Sequence, residues 1–433
     1  MATSPLFEPV RIGTVELPGR LVKSATTETR CTDDGFVTEE LIRYYEQIAA
    51  GGTPLLITGN AYFDVYSKAA PRQLAADSDD KIPGLRRLTD AVHRHGARIF
   101  LQIYHVGRQA LPRLAGRREA VSASAVFEPA LGVRPREITQ EEIQGVVRGL
   151  AQAAGRGKQA GFDGVQIHAA HGYLISAFLT PHTNRRTDDY GGPLENRMRL
   201  LVEVYRAVRD EVGPSFPVIL KINGSDELFL RRGLGPAETV AIAKRMEEEG
   251  IDAVEVSCGH YESGFPFERG RWKGFFSTVT TIGIGRHLPW YHRYAARALA
   301  PILDRALERI APYREGFNLP YARQFKMALS IPVLCVGGFL HKEAMEQAIA
   351  GGACDLVSVA RALIADPLLY RHLQEDAPGP KCDFCNACYA RGASWPVDCY
   401  NEAVRQERDH MLARELGDSV ALGVLKGRRQ ELR

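Results

Sequence analysis

The 433-residue sequence has no run of about 18 apolar residues, the length a helix needs to cross a bilayer, so no membrane span is expected. Residues 1–10 hold no apolar core of the kind that marks a secretory leader, and a cytoplasmic location is expected. No block of like charge stands out. Lys and Arg number 55 against 52 Asp and Glu, a net +3, whereas a nucleic-acid-binding face shows as a basic stripe. The short cationic end at Lys426, Arg428, Arg429 and Arg433 reads as a solvated terminus. Cysteine is sparse, eight residues in all, too few for a disulfide scaffold in a chain of this length. No Gly-x-Gly-x-x-Gly fingerprint follows a strand-like run; Gly283-Ile-Gly285 lacks the third glycine.

What is present is a core and a rhythm. Apolar residues make up 45% and charged residues 25%, ordinary for a large globular interior. Eight short, β-rich runs are apolar on both faces: 20–25, 54–60, 98–105, 164–170, 217–225, 253–259, 332–338 and 356–362. Such runs are what parallel strands covered by helices look like. Helical patterns alternate with them, at 138–161, 197–212, 236–250 and 342–352, which implies βαβ units. Three junctions repeat one another, each closing a helix on Gly and opening a strand after Asp: Gly161 with Asp163, Gly250 with Asp252, Gly352 with Asp355. The expected fold is α/β, a (β/α)₈ TIM barrel; an open doubly wound sheet is the alternative. Residues 1–375 are expected to form the catalytic barrel, with a long insertion at 261–321 after strand six. Residues 376–433 are expected to form a Cys-rich C-terminal extension. Within the insertion, the aromatic amphipathic stretch 290–310 reads as a lid helix.

A barrel of this kind places its chemistry at the C-terminal ends of the strands. Those ends are polar here: Thr27, Asn60, Gln102, His105, His168, His171, Lys221, Asn223 and His260. The densest group is His168-Ala-Ala-His171-Gly-Tyr173, where a buried strand runs into two imidazoles and a phenol. Two neutral imidazoles can donate hydrogen bonds to one oxygen, and a tyrosine beside them can give or take a proton. The same pair could be part of a zinc site, but a catalytic zinc usually needs three ligands and no third is evident nearby.

The run 168–181 followed by Asn184-Arg-Arg-Thr-Asp-Asp-Tyr-Gly-Gly-Pro-Leu-Glu-Asn-Arg197 resembles the old yellow enzyme family of FMN-dependent NAD(P)H oxidoreductases. Gly19-Arg-Leu-Val-Lys-Ser-Ala25, Leu101-Gln-Ile-Tyr-His-Val-Gly-Arg108, Val333-Leu-Cys-Val-Gly-Gly338 and Val357-Ser-Val-Ala-Arg-Ala-Leu363 extend the match across 6–373. The resemblance implies FMN, with NADH or NADPH as electron donor. It also implies hydride delivery to the β-carbon of an activated alkene (an enone, enoyl ester or enoyl-CoA). His168 and His171 match the pair that grips the substrate oxygen, and Tyr173 matches the proton donor. Gln102 matches a contact to the isoalloxazine edge, with Ala25, Thr26, Thr27, Asn60 and Lys221 around the flavin. Gly337, Gly338, Ala360 and Arg361 match its phosphate end, where barrel phosphate sites are commonly built. His260 and Tyr261 are expected to touch substrate. A homo-oligomer is expected.

Four cysteines cluster late, Cys382-Asp-Phe-Cys385-Asn-Ala-Cys388 and then Cys399. Four thiolates can hold a [4Fe–4S] cluster or a structural zinc, and the spacing leaves open that they bind neither. Larger relatives resembling 2,4-dienoyl-CoA reductases and trimethylamine dehydrogenase carry an iron–sulfur cluster at this point, with a slightly longer final spacing. With a cluster, the alternative function is an FMN/iron–sulfur dehydrogenase that passes substrate electrons to a partner protein. A barrel-fold binding protein without chemistry is the third reading.

Overall fold

A computed structural model describes residues 4–111, 114, 116, 119–229 and 231–417. The cationic end noted at Lys426–Arg433 lies outside the described residues. Eight parallel strands close into a barrel: β1 Leu21–Lys23, β2 Leu55–Ile57, β3 Arg98–Ile103, β4 Gly164–Ala169, β5 Val218–Asn223, β6 Ala253–Ser257, β7 Val333–Val336 and β8 Leu356–Val359. Each pairs with its neighbours in sequence, and β8 pairs with β1. The expected (β/α)₈ TIM barrel is therefore the observed one, and all eight strands fall within the apolar runs. Eight helices follow the strands: α1 Glu39–Ala50, α2 Ile82–His93, α3 Gln140–Gln159, α4 Leu194–Val212, α5 Pro236–Glu249, α6 Leu319–Ala328, α7 Lys342–Ala350 and α8 Leu369–Glu375.

The repeated Gly–Asp junctions have one physical cause. Gly161, Gly250 and Gly352 take the left-handed φ that ends a helix cheaply, at +89°, +100° and +63°. The aspartates that follow clamp the neighbouring strand twice. Asp163, Asp252 and Asp355 donate their own N–H to the carbonyls of Ile99, Val218 and Val333. Their carboxylates accept the N–H of the same three residues at 2.9, 2.8 and 2.8 Å. The motif thus sets the register of β4, β6 and β8 against β3, β5 and β7.

The barrel interior is layered. Val22, Leu55, Ile57, Phe100, Ile219, Ala253, Leu334 and Leu356 fill its lower part. A hairpin of Val10–Ile12 and Val15–Leu17 adds Ile12 and Leu17 to that cluster and closes the end where the strands begin. The wider core packs the outer strand faces against the helices.

The insertion at the C-terminal end of β6 folds as short turns and three helices, Phe275–Thr281, Trp290–Ala298 and Ala300–Ile310. The single lid helix expected over 290–310 is broken at Leu299. Pro301 lies in the first turn of the second helix, where its ring fixes φ and it lacks an N–H. After α8 the chain crosses the barrel's C-terminal face before the helix Glu402–Leu416. This strap is bonded to both flanks of the face. Val397 N–H donates to the Glu28 carbonyl at 2.8 Å, and Arg271 N–H donates to the Phe384 carbonyl at 2.8 Å. Among the described residues no helix is long and apolar enough to cross a membrane.

Candidate active site

The C-terminal ends of the strands, the insertion and the strap enclose a cavity of about 440 Å³, within the range of small-molecule sites. Ala25, Thr26, Thr27, Asn60, Gln102, His168, His171, Tyr173, Lys221, Tyr261, Gly338, Ala360 and Arg361 line it. Two residues expected in the site do not. His260 is fully buried behind the wall, its Nε2 2.9 Å from Asp226 Oδ1. Burial lowers its pKa, but Asp226 and Glu262 outweigh that and raise it to about 9. Gly337 lies outside the lining because it faces the other way: a Cβ there would come within 3.0 Å of the Asn318 nitrogen, so the glycine lets the end of β7 pack on the start of α6.

Above the apolar barrel layer lies a buried polar one. Gln102 Nε2 donates to Gln166 Oε1 at 2.6 Å, and Gln166 Nε2 donates to Glu255 Oε2 at 2.8 Å. Ser24 donates to Glu255 Oε1 at 2.8 Å, and Lys221 Nζ donates to Ser24 at 2.9 Å while pairing with Glu255 at 3.1 Å. Burial pushes the Glu255 carboxyl up, but Lys221, Ser24 and Gln166 outweigh it and keep the pKa below its usual value. The network fixes the heads of Gln102 and Lys221 at the cavity floor. Ser24, Gln166 and Glu255 were not singled out from the sequence. The available signal was period-two alternation, since Gln166 shares the inward face of β4 with His168.

His168 closes β4. The Ala170 N–H donates to its Nδ1 at 3.2 Å, so the neutral ring carries its proton on Nε2. Burial, then Lys221, holds its pKa well below the ordinary value. His171 and Gly172 take left-handed φ values of +63° and +80°, which turn the chain sharply after the strand. Asn223 Oδ1 accepts the His171 N–H at 3.1 Å, and His171 Nε2 lies 2.7 Å from Ser257 Oγ. Burial, then His168, holds this second imidazole neutral as well. Tyr173 follows at the start of helix Leu174–Leu179, its ring 4.8 Å from that of His168 and 6.4 Å from that of His171. Its hydroxyl is 3.3 Å from that of Tyr261, and burial raises its pKa, so it stays protonated.

The Arg361 end of the cavity is closed by the strap. Arg361 bonds Asn386 Oδ1, lies 3.5 Å from Glu268 and stacks on the Phe384 ring at 4.8 Å. Thr27 donates to Asn60 Oδ1 at 2.8 Å, fixing both beside the cavity. Phe265, Phe267, Phe275, Phe276, Phe384 and Tyr389 supply most of the aromatic roof. All six come from the strap and from the part of the insertion before the stretch read as a lid. Among the described residues no group of three or more His, Cys, Asp or Glu is placed to hold a single metal ion. Cys382, Cys385, Cys388 and Cys399 are free thiols.

Residues 5–275 match the model of the NADH:flavin oxidoreductase / NADH oxidase family. The chain belongs to that family. It is an FMN-dependent oxidoreductase by that membership. An NADH oxidase of Thermoanaerobacter brockii is 34% identical over 384 residues, covering 88% of this chain and 52% of the relative. A 4,4'-dithiodibutanoate disulfide reductase of Rhodococcus erythropolis is 33% identical over 395 residues, covering 90% of this chain and 94% of the relative. A solved 2-naphthoyl-CoA reductase, in complex with 2-naphthoyl-CoA, superimposes with a TM-score of 0.78 at 28% identity. It is covered over 58% of its length and covers 94% of this chain. The chain thus spans about half the length of the NADH oxidase. For this family member the cavity fits FMN: Gln102 and Lys221 lie at its floor, with Gly338 and Arg361 along one wall.

Proposed function

We propose that the protein reduces an activated C=C bond of an enone, enoyl ester or enoyl-CoA, with NADH or NADPH as electron donor. The observation that carries this reading is the neutral imidazole pair facing one cavity with a protonated tyrosine at its side. FMN bound in the cavity supplies the hydride acceptor for NAD(P)H and the hydride donor for the alkene. Lys221 places a positive charge by the flavin, as a point charge without the planar fork of arginine. Gly338, Ala360 and Arg361 would hold its phosphate, and Ala25, Thr26, Thr27, Asn60 and Gln102 its ring.

The chain's own residues then act as follows. His168 donates from Nε2 to the substrate carbonyl oxygen. His171, oriented by Asn223 and Ser257, shares that oxygen. Neither imidazole needs to change charge to do so, and together they draw electrons from the β-carbon. Tyr173 delivers the proton to the α-carbon. Insertion and strap exclude water from the cavity. In this reading residues 1–375 are the catalytic domain and 376–433 the Cys-rich extension, whose described part reaches back over the barrel face.

Tyr173→Phe is expected to slow reoxidation by an enone by roughly 10²–10⁴-fold, the usual span for a lost general acid, while reduction by NAD(P)H keeps its rate. Stopped-flow spectroscopy resolves both half-reactions. Equal loss in both contradicts the proton-donor role.

A second reading is favoured by one observation: Cys388 lines the same cavity as His168 and Arg361. Cys382, Cys385, Cys388 and Cys399 offer a four-sulfur donor set of the kind that holds a [4Fe–4S] cluster. The Phe384 N–H donates to Cys382 Sγ at 3.4 Å. A cluster so placed would give the flavin an electron outlet, and the enzyme would then be a dehydrogenase feeding a partner protein. Iron and acid-labile sulfide, measured on anaerobically purified protein, are expected near four of each per chain. Neither element, or zinc alone, removes this reading.

A further inference from the structure

Among the residues lining the cavity, Gln109 has no role in the chemistry above, and its environment is unusual. It is 3% exposed, yet among the described residues neither Oε1 nor Nε2 of its amide has a hydrogen-bond partner. Its backbone is tied down, the N–H donating to the Val106 carbonyl at 3.2 Å. Its amide reaches the backbone between the two catalytic groups: a Cβ on Gly172 would lie 2.5 Å from Gln109 Nε2. Gly172 therefore leaves the space that the amide occupies. The cavity lining also includes the apolar Ala69, Pro129, Ala130 and Leu131, and His260 Nδ1 lies 3.2 Å from the same Gly172 Cβ position.

A buried amide without partners is costly, and native structures keep few of them. Bonding to a ligand group removes that cost. To meet both amide atoms the group must present an acceptor and a donor on one edge. A primary amide or a lactam does so and pairs with a glutamine head through two hydrogen bonds.

We propose that Gln109 is a substrate-binding residue that recognises an amide on the arm of the alkene substrate, beside the carbonyl held by His168 and His171. The assignment rests on the ene-reductase reading and names a feature of its substrate. An amide-bearing reactant is also present on the donor side, as the nicotinamide carboxamide, so the test separates the two.

The probes are an enone carrying a lactam arm and the same enone with the ring amide replaced by two methylenes. In the wild-type holoenzyme the amide-bearing enone is expected to show a KM roughly tenfold lower, the size of effect two modest hydrogen bonds give. Gln109→Leu, similar in size and without polar atoms, is expected to abolish that difference. It is expected to leave the methylene enone and the NAD(P)H half-reaction within about twofold of wild type, which also shows that the variant is folded. Gln109→Asn, which shortens the reach, serves as a second variant and is expected to lose most of the preference. A preference that persists in Gln109→Leu overturns the assignment, as does a wild-type enzyme that shows none. A Gln109→Leu effect confined to NAD(P)H also overturns it and transfers the residue to donor binding. If wild type reduces neither enone, it is the ene-reductase reading that fails.

Discussion

Lys221 and Glu255 face each other inside the barrel with almost no exposure, bridged by Ser24, and Gln166 donates to Glu255 as well. Removing one partner of such a pair leaves a buried charge uncompensated. Lys221→Met is expected to destabilise the fold by about 3–5 kcal/mol and to weaken FMN retention. Chemical denaturation and the flavin absorbance of the purified variant measure both. Adding Glu255→Leu is expected to recover much of the stability and none of the flavin affinity. At this scale the sequence revealed the residues at strand ends, because a polar side chain stands out after an apolar run. It hid Glu255 and Gln166, which lie inside the runs and read as breaks in apolarity until the pleat places them on the inward face. His260 follows a strand as His171 does, but the structure pairs it with Asp226 behind the cavity wall.

The Gly–Asp junctions show an element readable in advance. Each motif was visible as a repeat, and the structure supplies its cause in the paired bonds from aspartate to the neighbouring strand. Asp252 accepts the Val218 N–H and also pairs with Arg209 at 2.8 Å. Asp252→Ala is expected to cost about 1–3 kcal/mol by leaving that strand N–H unmet, seen as a lower denaturation midpoint with unchanged slope. The insertion was less legible. Its apolar period ran through 290–310, and Pro301 decided the break at Leu299. The roof over the cavity depends on contacts between segments more than a hundred residues apart, such as Asn386 Nδ2 with the Glu268 carbonyl at 2.9 Å. Local periodicity holds no record of such contacts.

The whole molecule carries two opposed histidine effects. The pKa of His260 rises from 6.5 to about 9 on folding. Its contribution to stability is therefore complete below about pH 6.5 and is lost as pH rises through about 9. The pKa values of His168 and His171 fall on folding, so the unfolded chain takes up their protons first, and their effect is a loss of stability as pH drops below about 6.5. Thermal unfolding followed across pH 5–10 is expected to show both arms. His260→Gln is expected to flatten the alkaline arm and leave the acid arm, since its ring does not line the cavity. The same neutrality of His168 and His171 makes the alkene step insensitive to pH between about 6.5 and 8 on their account.

The central claim is that one cavity serves the flavin, the imidazole pair and the tyrosine in alkene reduction. Its most direct test is an anaerobic titration of the holoprotein followed by flavin absorbance. NADH or NADPH is expected to bleach the flavin band at one equivalent. A cyclic enone is then expected to restore it, with one equivalent of saturated ketone formed. A protein that takes up no FMN contradicts the account, as does a bleached flavin that the enone leaves reduced.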